Sequence, residues 1–336
     1  MQTTDRTGLL LKIAELSPED FEETALAVFR YQAAYNPLYS RYLQLLGRKP
    51  ALVKTTPEIP FLPITLFKKY TVQTGRWAPQ AVFTSSGTTG QIPSHHAVRD
   101  LEFYLENTRR GFSRFYGAPS DWCFLALLPA YLERQGSSLV AMADFFIRKS
   151  RYPESGFFLN DFEKLAAVLQ ACRQNFVPTI VLGVSFALLD FAEQYPMDLS
   201  GVVVMETGGM KGRRREMTRA ELHQTLGQAF HLSGIHSEYG MTELFSQAYC
   251  QPKSSDTGLL FEPAPTLRAV ATELNDPFCT AAPGRPGILQ FIDLANIDTC
   301  SFIATEDLGK VYPDGRFEVL GRSDAAEMRG CNLMVE

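Results

Sequence analysis

Two short runs, Thr179–Leu182 and Val202–Met205, are apolar almost throughout, and between them Phe186–Gln194 repeats its apolar residues at helical spacing. Runs of that length bounded by helix-period segments read as buried strands. A chain that alternates the two must lay helices on a sheet, so an α/β fold is the first expectation. The alternation extends outward. Ala81–Thr84 is a short strand running into a glycine-threonine loop, Asn160 caps a periodic segment through Leu165, Leu169 and Cys172, and Arg214–Phe230 is an amphipathic helix.

On either side the pattern changes. Ser17-Pro18-Glu19-Asp20 supplies a cap, a proline at the first helical position and early acids. Phe21, Ala25, Val28 and Phe29 then fall on one helix face. Asn36-Pro37 breaks that helix, Leu38–Leu46 forms a second, and prolines at 57, 60 and 63 make Ile59–Leu66 an extended connector. After Cys250 the chain turns β-rich, with strands expected at Thr266–Glu273, Gly287–Leu294, Ser301–Ala304 and Arg316–Leu320.

Composition removes several function classes. With 45% hydrophobic and 21% charged residues the chain is globular rather than disordered. A net charge of −5 gives no global attraction to nucleic acid. The opening Met-Gln-Thr-Thr-Asp-Arg has no basic region followed by an apolar core, and no apolar run is long enough to span a bilayer, so neither a signal peptide nor a membrane span is expected. Six scattered cysteines without Cys-x-x-Cys argue against zinc and against a disulfide framework. A reducing cytoplasm follows as the expected location.

Four stretches carry chemistry. Thr84-Ser85-Ser86-Gly87-Thr88-Thr89-Gly90, followed by Pro93, offers backbone amides and hydroxyls to an anion. It is no Walker loop, because no Gly-Lys-Ser/Thr follows, and a polar hairpin would have the same composition. In Ser237-Glu238-Tyr239-Gly240-Met241-Thr242-Glu243, Thr242 could donate to a phosphate and Glu243 could ligate Mg²⁺, a hard cation that takes oxygen donors. A surface acid at a helix start would read alike. In Thr305-Glu306-Asp307-Leu308-Gly309 the aspartate could accept both hydroxyls of a ribose, although Asp-Leu-Gly is also a common turn. In Gly321-Arg322-Ser323-Asp324 the arginine could reach a ribose or phosphate oxygen, or form an exposed terminal ion pair of little consequence.

In their order, with Thr207-Gly208-Gly209 between the first two, these stretches resemble the adenylate-forming superfamily of acyl and aryl ligases. The likeness covers residues 81 to about 330. Within that superfamily the chain is most similar to the acyl-protein synthetase (fatty-acid–protein ligase) family of bacterial bioluminescence systems, on its length and on Ile59-Pro60-Phe61-Leu62-Pro63-Ile64-Thr65-Leu66-Phe67-Lys68. The resemblance implies a helical segment over 1–80 packed on an adenylate-forming core over 81–320, α/β to about 250 and β-rich after, and a short tail over 321–336. It implies ATP and Mg²⁺, with Ser85, Ser86, Gly87, Thr88, Thr89 and Gly90 on the β- and γ-phosphates. Gly208 and Gly209 would flank the adenine, Tyr239 next to Gly240 would stack on it, and Asp307 and Arg322 would hold the ribose. Thr242 and Glu243 would serve phosphate and metal. The family is acylated on a cysteine near its C-terminus, where Cys331 stands. The implied substrate is a fatty or related carboxylate, and the implied partner an acyl-accepting reductase, acyltransferase or carrier protein.

Two departures qualify the likeness. Ser94, followed by His95 and His96, stands where the superfamily's loop carries lysine. The usual small C-terminal domain, with the lysine that neutralises the transition state, is expected to be absent; Lys211, Lys310, Arg329 or a residue supplied by a partner would have to replace it. The nine peptide steps from Arg322 to Cys331 span up to about 30 Å, enough for the thiol to move between two sites. Arg329 nearby would favour its thiolate. Two other outcomes stay open: an acyl-CoA or acyl-carrier-protein ligase, and a non-catalytic nucleotide-binding scaffold subunit.

Overall fold

A computed structural model describes residues 5–85, 92–128, 136–208, 217–252 and 259–322. Contacts divide the chain into two units, one built from residues up to Arg76 together with those from Pro265 onward, the other from Trp77–Ala264.

The first unit begins with helices α1 (Arg6–Ala14), α2 (Phe21–Tyr35) and α3 (Pro37–Leu45). Helix α2 starts three residues later than its proline suggests. Ser17 and Asp20 bond each other, Ser17 Oγ donating to Asp20 Oδ2 at 2.6 Å, and this closes a turn before the helix rather than capping it. Asn36 caps α3 by accepting from Tyr39 N at 3.0 Å, with Pro37 in the first turn. The connector is less extended than the prolines imply: short 3₁₀ turns at Pro50–Leu52, Thr56–Glu58 and Ile64–Lys68 surround the two-residue strand β1 (Leu62–Pro63).

The second unit opens with the hairpin β2 (Ala81–Thr84) and β3 (His95–Val98). It continues through α4 (Leu101–Tyr116), β4 (Cys123–Leu127), α5 (Ser138–Lys149), β5 (Gly156–Phe157), α6 (Phe162–Gln174), β6 (Thr179–Val184) and α7 (Ser185–Gln194). Then come β7 (Val203–Thr207), α8 (Arg219–Phe230), β8 (His236–Tyr239), β9 (Ala248–Cys250) and β10 (Glu262–Pro263). Asp161 rather than Asn160 caps α6. Helix α8 starts at Arg219 because Thr218 and Glu221 form a reciprocal capping box.

The seven-stranded sheet has the order β10-β9-β8-β7-β6-β4-β5, with β5, β4, β6, β7 and β8 parallel. Numbered by appearance, the parallel strands run 2-1-3-4-5, a doubly wound order whose ligands bind beyond the carboxyl ends of the strands. Alternation along each strand sets two faces. Phe112 of α4 and Met142 and Phe146 of α5 meet Phe124, Ile180, Leu182 and Met205 on one face. Residues Arg219 and His223 of α8 reach the other face.

The first unit closes with β11 (Leu267–Thr272), β12 (Gly287–Asp293), β13 (Phe302–Val311) and β14 (Phe317–Arg322). Strand β13 runs straight through the segment that reads as a turn, its first half pairing with β1 and its second with β14. The helices are held by buried polar side chains. Gln32 Nε2 donates to Asn296 O at 2.9 Å, Asn36 Nδ2 donates to Thr299 O at 2.8 Å, and Arg6 grips Asp298 with two bonds of 2.6 and 2.7 Å.

Candidate active site

The carboxyl end of β8 leads into the turn that carries Thr242 and Glu243. Tyr239 ends the strand and is buried. Gly240 follows, and a turn carries Thr242 and Glu243, with Leu244 N bonded to Met241 O at 3.1 Å. A Cβ at Gly240 would lie 2.5 Å from Glu238 Oε1, so a larger residue there would displace that carboxyl. Glu243 is only 5% exposed, unlike the surface acid that its sequence position also allows. A single buried carboxylate suits Mg²⁺, which binds one or two carboxylates and takes its remaining oxygens from phosphate and water. No group of three or more His, Cys, Asp or Glu side chains that could hold a metal occurs among the described residues.

The hairpin reaches this turn. Ser85 N donates to Ser94 O at 3.1 Å and Ser94 N to Ser85 Oγ at 2.8 Å, so the two serines close the base of the glycine-rich loop. Ser94 is buried in that ladder. His95 is exposed, but His96 is fully buried, lies 4.6 Å from the Phe245 ring, and donates from Nδ1 to Thr242 O at 2.8 Å. Burial lowers its pKa to about 4 against the opposing bond to Thr242, so the imidazole is neutral. The pairing of β3 with β2 sends the second ring of the histidine pair inward and leaves the first exposed.

Two glutamates that the motifs pass over flank the strand ends. Glu206 of β7 lies on the α8 face, where Arg219 Nε donates to its Oε1 at 2.8 Å and Ser185 Oγ to its Oε2 at 3.3 Å. Burial would raise its pKa, but His223, Arg219 and Ser237 together hold it below the usual carboxylate range. Glu238 of β8 lies on the other face and accepts from Thr207 Oγ1. Burial raises its carboxyl to about 7, with Thr207 opposing and Glu206 adding. Ser185 Oγ also donates to Gly208 O at 2.9 Å, and Gly208 has φ +73°, a conformation that favours glycine. Phe261 lies 5.7 Å from the Tyr239 ring and 4.9 Å from the Arg219 guanidinium, tying the aromatic residue to the Glu206 cluster. The available signal was a glutamate at the end of each of two buried strands, where an apolar run would otherwise continue.

In the first unit, Asp307 and Arg322 face each other across β13 and β14, with Arg322 Nε 3.5 Å from Asp307 Oδ1. Lys310 lies 3.4 Å from Glu318 on the same ladder. Ser86, Gly87, Thr88, Thr89, Gly90, Gly209, Lys211, Arg329 and Cys331 lie outside the described residues.

Residues 177–336 match the family model of acyl-protein synthetase, LuxE. Among solved structures, 2-hydroxyisobutyryl-CoA ligase in complex with 2-HIB-AMP and CoA is similar at TM-score 0.67 and 14% identity, over 92% of this chain and 71% of that one. ATP-bound MatB from Rhodopseudomonas palustris is similar at TM-score 0.52 and 15% identity, over 74% and 49%. The ATP-bound chimera RpMatB-BxBclM B3 reaches 0.55 at 15%, with the same coverage. The chain thus spans about half the length of the MatB proteins it resembles. No curated protein matches it in sequence. The fold is that of the adenylate-forming ligases, and the second half of the chain carries the acyl-protein synthetase likeness. No helix among the described residues is long and apolar enough to cross a membrane.

Proposed function

We propose that the chain activates a carboxylic acid with ATP and passes the acyl group to a thiol. A carboxylate oxygen attacks the α-phosphorus, the bond to the β-phosphate oxygen breaks, and pyrophosphate leaves with that electron pair. A thiolate then attacks the acyl carbon and AMP departs. The observation that carries this reading is the bond from His96 to Thr242 O, which brings the strand leaving the glycine-rich loop against the Thr242-Glu243 turn. Both lie in the unit whose parallel strands point their carboxyl ends at such a site. The ATP and acyl-adenylate named for the structural neighbours add support.

In this reading residues 85–90 take the β- and γ-phosphates, Tyr239 stacks on the adenine beside Gly208 and Gly209, and Thr242 donates to the α-phosphate. Neutral His96 fixes the Thr242 backbone and brings no competing charge. Asp307 and Arg322 are assigned to the ribose by their motifs. Glu243 would hold Mg²⁺, whose charge would stabilise the pyrophosphate leaving group.

The acceptor is assigned to Cys331 on the acyl-protein synthetase likeness of residues 177–336. An apolar carboxylate is the expected substrate class. Coenzyme A is the second candidate acceptor, favoured by its presence beside the acyl-adenylate in the 2-hydroxyisobutyryl-CoA ligase. The reading is tested by carboxylate-dependent exchange of labelled pyrophosphate into ATP. Exchange is expected, with Glu243→Gln losing most of it; nucleotide binding without exchange for any acid would leave a scaffold instead. Labelled acid with Mg·ATP should then give thiol-labile protein labelling that Cys331→Ser abolishes.

A further inference from the structure

Between β8 and β9 the chain crosses residues 240–247 without regular structure, yet residues 243–247 are all buried. A buried irregular segment must satisfy its backbone carbonyls with groups from elsewhere. Two side chains from outside the segment do so. His96 Nδ1 donates to Thr242 O at 2.8 Å. Asn107 Nδ2 donates to Phe245 O at 3.0 Å and to Ser246 Oγ at 3.1 Å. Both donors are as deeply buried as the carbonyls they hold. Thr242 and Phe245 bracket Glu243, so the short turn carrying the proposed phosphate and metal groups is pinned at both ends.

The two donors belong to one stretch of chain. Strand β3 leaves the glycine-rich loop at Ser94, whose bonds to Ser85 close the base of that loop, and His96 is the second residue of the strand. Helix α4 follows, capped by Asp100, which accepts from Phe103 N at 3.0 Å. Tyr104 and Asn107 stand three residues apart on α4 and so share a face. The Tyr104 ring packs 5.1 Å from the Phe245 ring while Asn107 holds the Phe245 carbonyl. From the hairpin, His96 lies 4.6 Å and Phe83 6.3 Å from the same ring. Phe245 is therefore wedged among β2, β3 and α4, and the turn before it moves only if they do.

We propose that His96 and Asn107 are positioning residues for the chemical step. By gripping both ends of the Thr242–Phe245 turn, the chain leaving the glycine-rich loop fixes the spacing between the loop and the groups assigned to the α-phosphate and Mg²⁺. The inference rests on the adenylation reading and adds to it two side chains that touch no substrate. Reacting groups must be held to within a fraction of an ångström, and a misplacement of about 1 Å can cost on the order of 100-fold in rate. Loss of a grip therefore lowers turnover more than it weakens nucleotide binding.

The test is carboxylate-dependent pyrophosphate exchange, with kcat and the KM for ATP measured separately and thermal unfolding recorded for every variant. His96→Leu and Asn107→Leu are each expected to lower kcat by about 10- to 100-fold while the KM for ATP changes by about threefold or less. His96→Asn places an amide donor near the Nδ1 position and should recover most of the lost turnover, whereas His96→Gln, whose amide reaches the Nε2 position, should not. That polar pair carries the test alone where a leucine variant fails to fold. Unchanged kcat in the leucine variants, a loss confined to KM, or His96→Asn no better than His96→Gln overturns the positioning role and leaves adenylation standing. Absence of exchange in the parent protein with every acid overturns the adenylation reading and this inference with it.

Discussion

Glu206 and Glu238 occupy the ends of neighbouring parallel strands, are buried to within a few per cent of each other, and face opposite sides of one sheet. Their chemistry is opposite. On the α8 side a guanidinium, an imidazole and hydroxyls gather on Glu206 and keep it ionised. On the α4 side Glu238 receives one hydroxyl, and burial raises it to about 7. Depth is therefore not what sets the charge; the partner set is. One side of the sheet is a closed structural clamp, while on the other Gln247 Oε1 and the Tyr249 hydroxyl have no hydrogen-bond partner among the described residues.

The clamp gives the largest expected effect. Arg219→Met would leave the Glu206 carboxylate in the interior without its cation, a loss that costs about 3–5 kcal/mol for fully buried pairs. Arg219 keeps 23% of its side chain exposed, so about 2–3 kcal/mol is expected in urea unfolding. Adding Glu206→Gln should recover part of that loss. If the double variant is as unstable as the sum of the singles, the pair is not coupled and the contrast between the two faces fails.

Opposite pH slopes sharpen the same contrast. The folded-state pKa of Glu238 is raised from 4.5 to about 7, so its protonated form contributes stability that is full below 4.5 and lost as pH rises to about 7. The slope approaches 1.4 kcal/mol per pH unit within that window. Glu206 is lowered, so its contribution is present above 4.5 and lost as pH falls below it. Stability against pH for Glu238→Gln and Glu206→Gln, each compared with the parent protein, should diverge in opposite directions. Parallel curves would mean that both carboxyls share one charge state.

The sheet itself was legible because a buried strand writes itself as an apolar run, and β6 and β7 lie within two residues of their expected bounds at each end. The turn with Thr242 and Glu243 was legible as a motif. What the sequence could not convey was register. Only the resemblance groups Asp307 with Arg322; read locally, one belongs to a common turn and the other to an exposed terminal stretch, and they face each other because β14 pairs with β13 at one particular alignment. Arg219 and Glu206 are thirteen positions apart on different elements, and nothing local to either marks the other. Tyr249 belongs to none of the motifs; the setting of its hydroxyl, unpaired among the described residues, exists only once β9 is laid against β8. Chemistry that depends on a residue and its chain neighbours was visible, and chemistry that depends on cross-strand pairing was not.

The smallest effect bears on the open face alone. Thr207→Val keeps the shape of the side chain and removes the hydroxyl that bonds Glu238 among the described residues. Losing a neutral hydrogen bond of this kind costs about 1 kcal/mol, so the stability change at pH 5 should be modest. The diagnostic is the titration. Because the Thr207 bond lowers the Glu238 pKa against burial, its removal should move the upper end of the pH window in which stability is lost, now near 7, to higher pH. A shift of that limit to lower pH would mean that Glu238, protonated, donates to Thr207 rather than accepting from it.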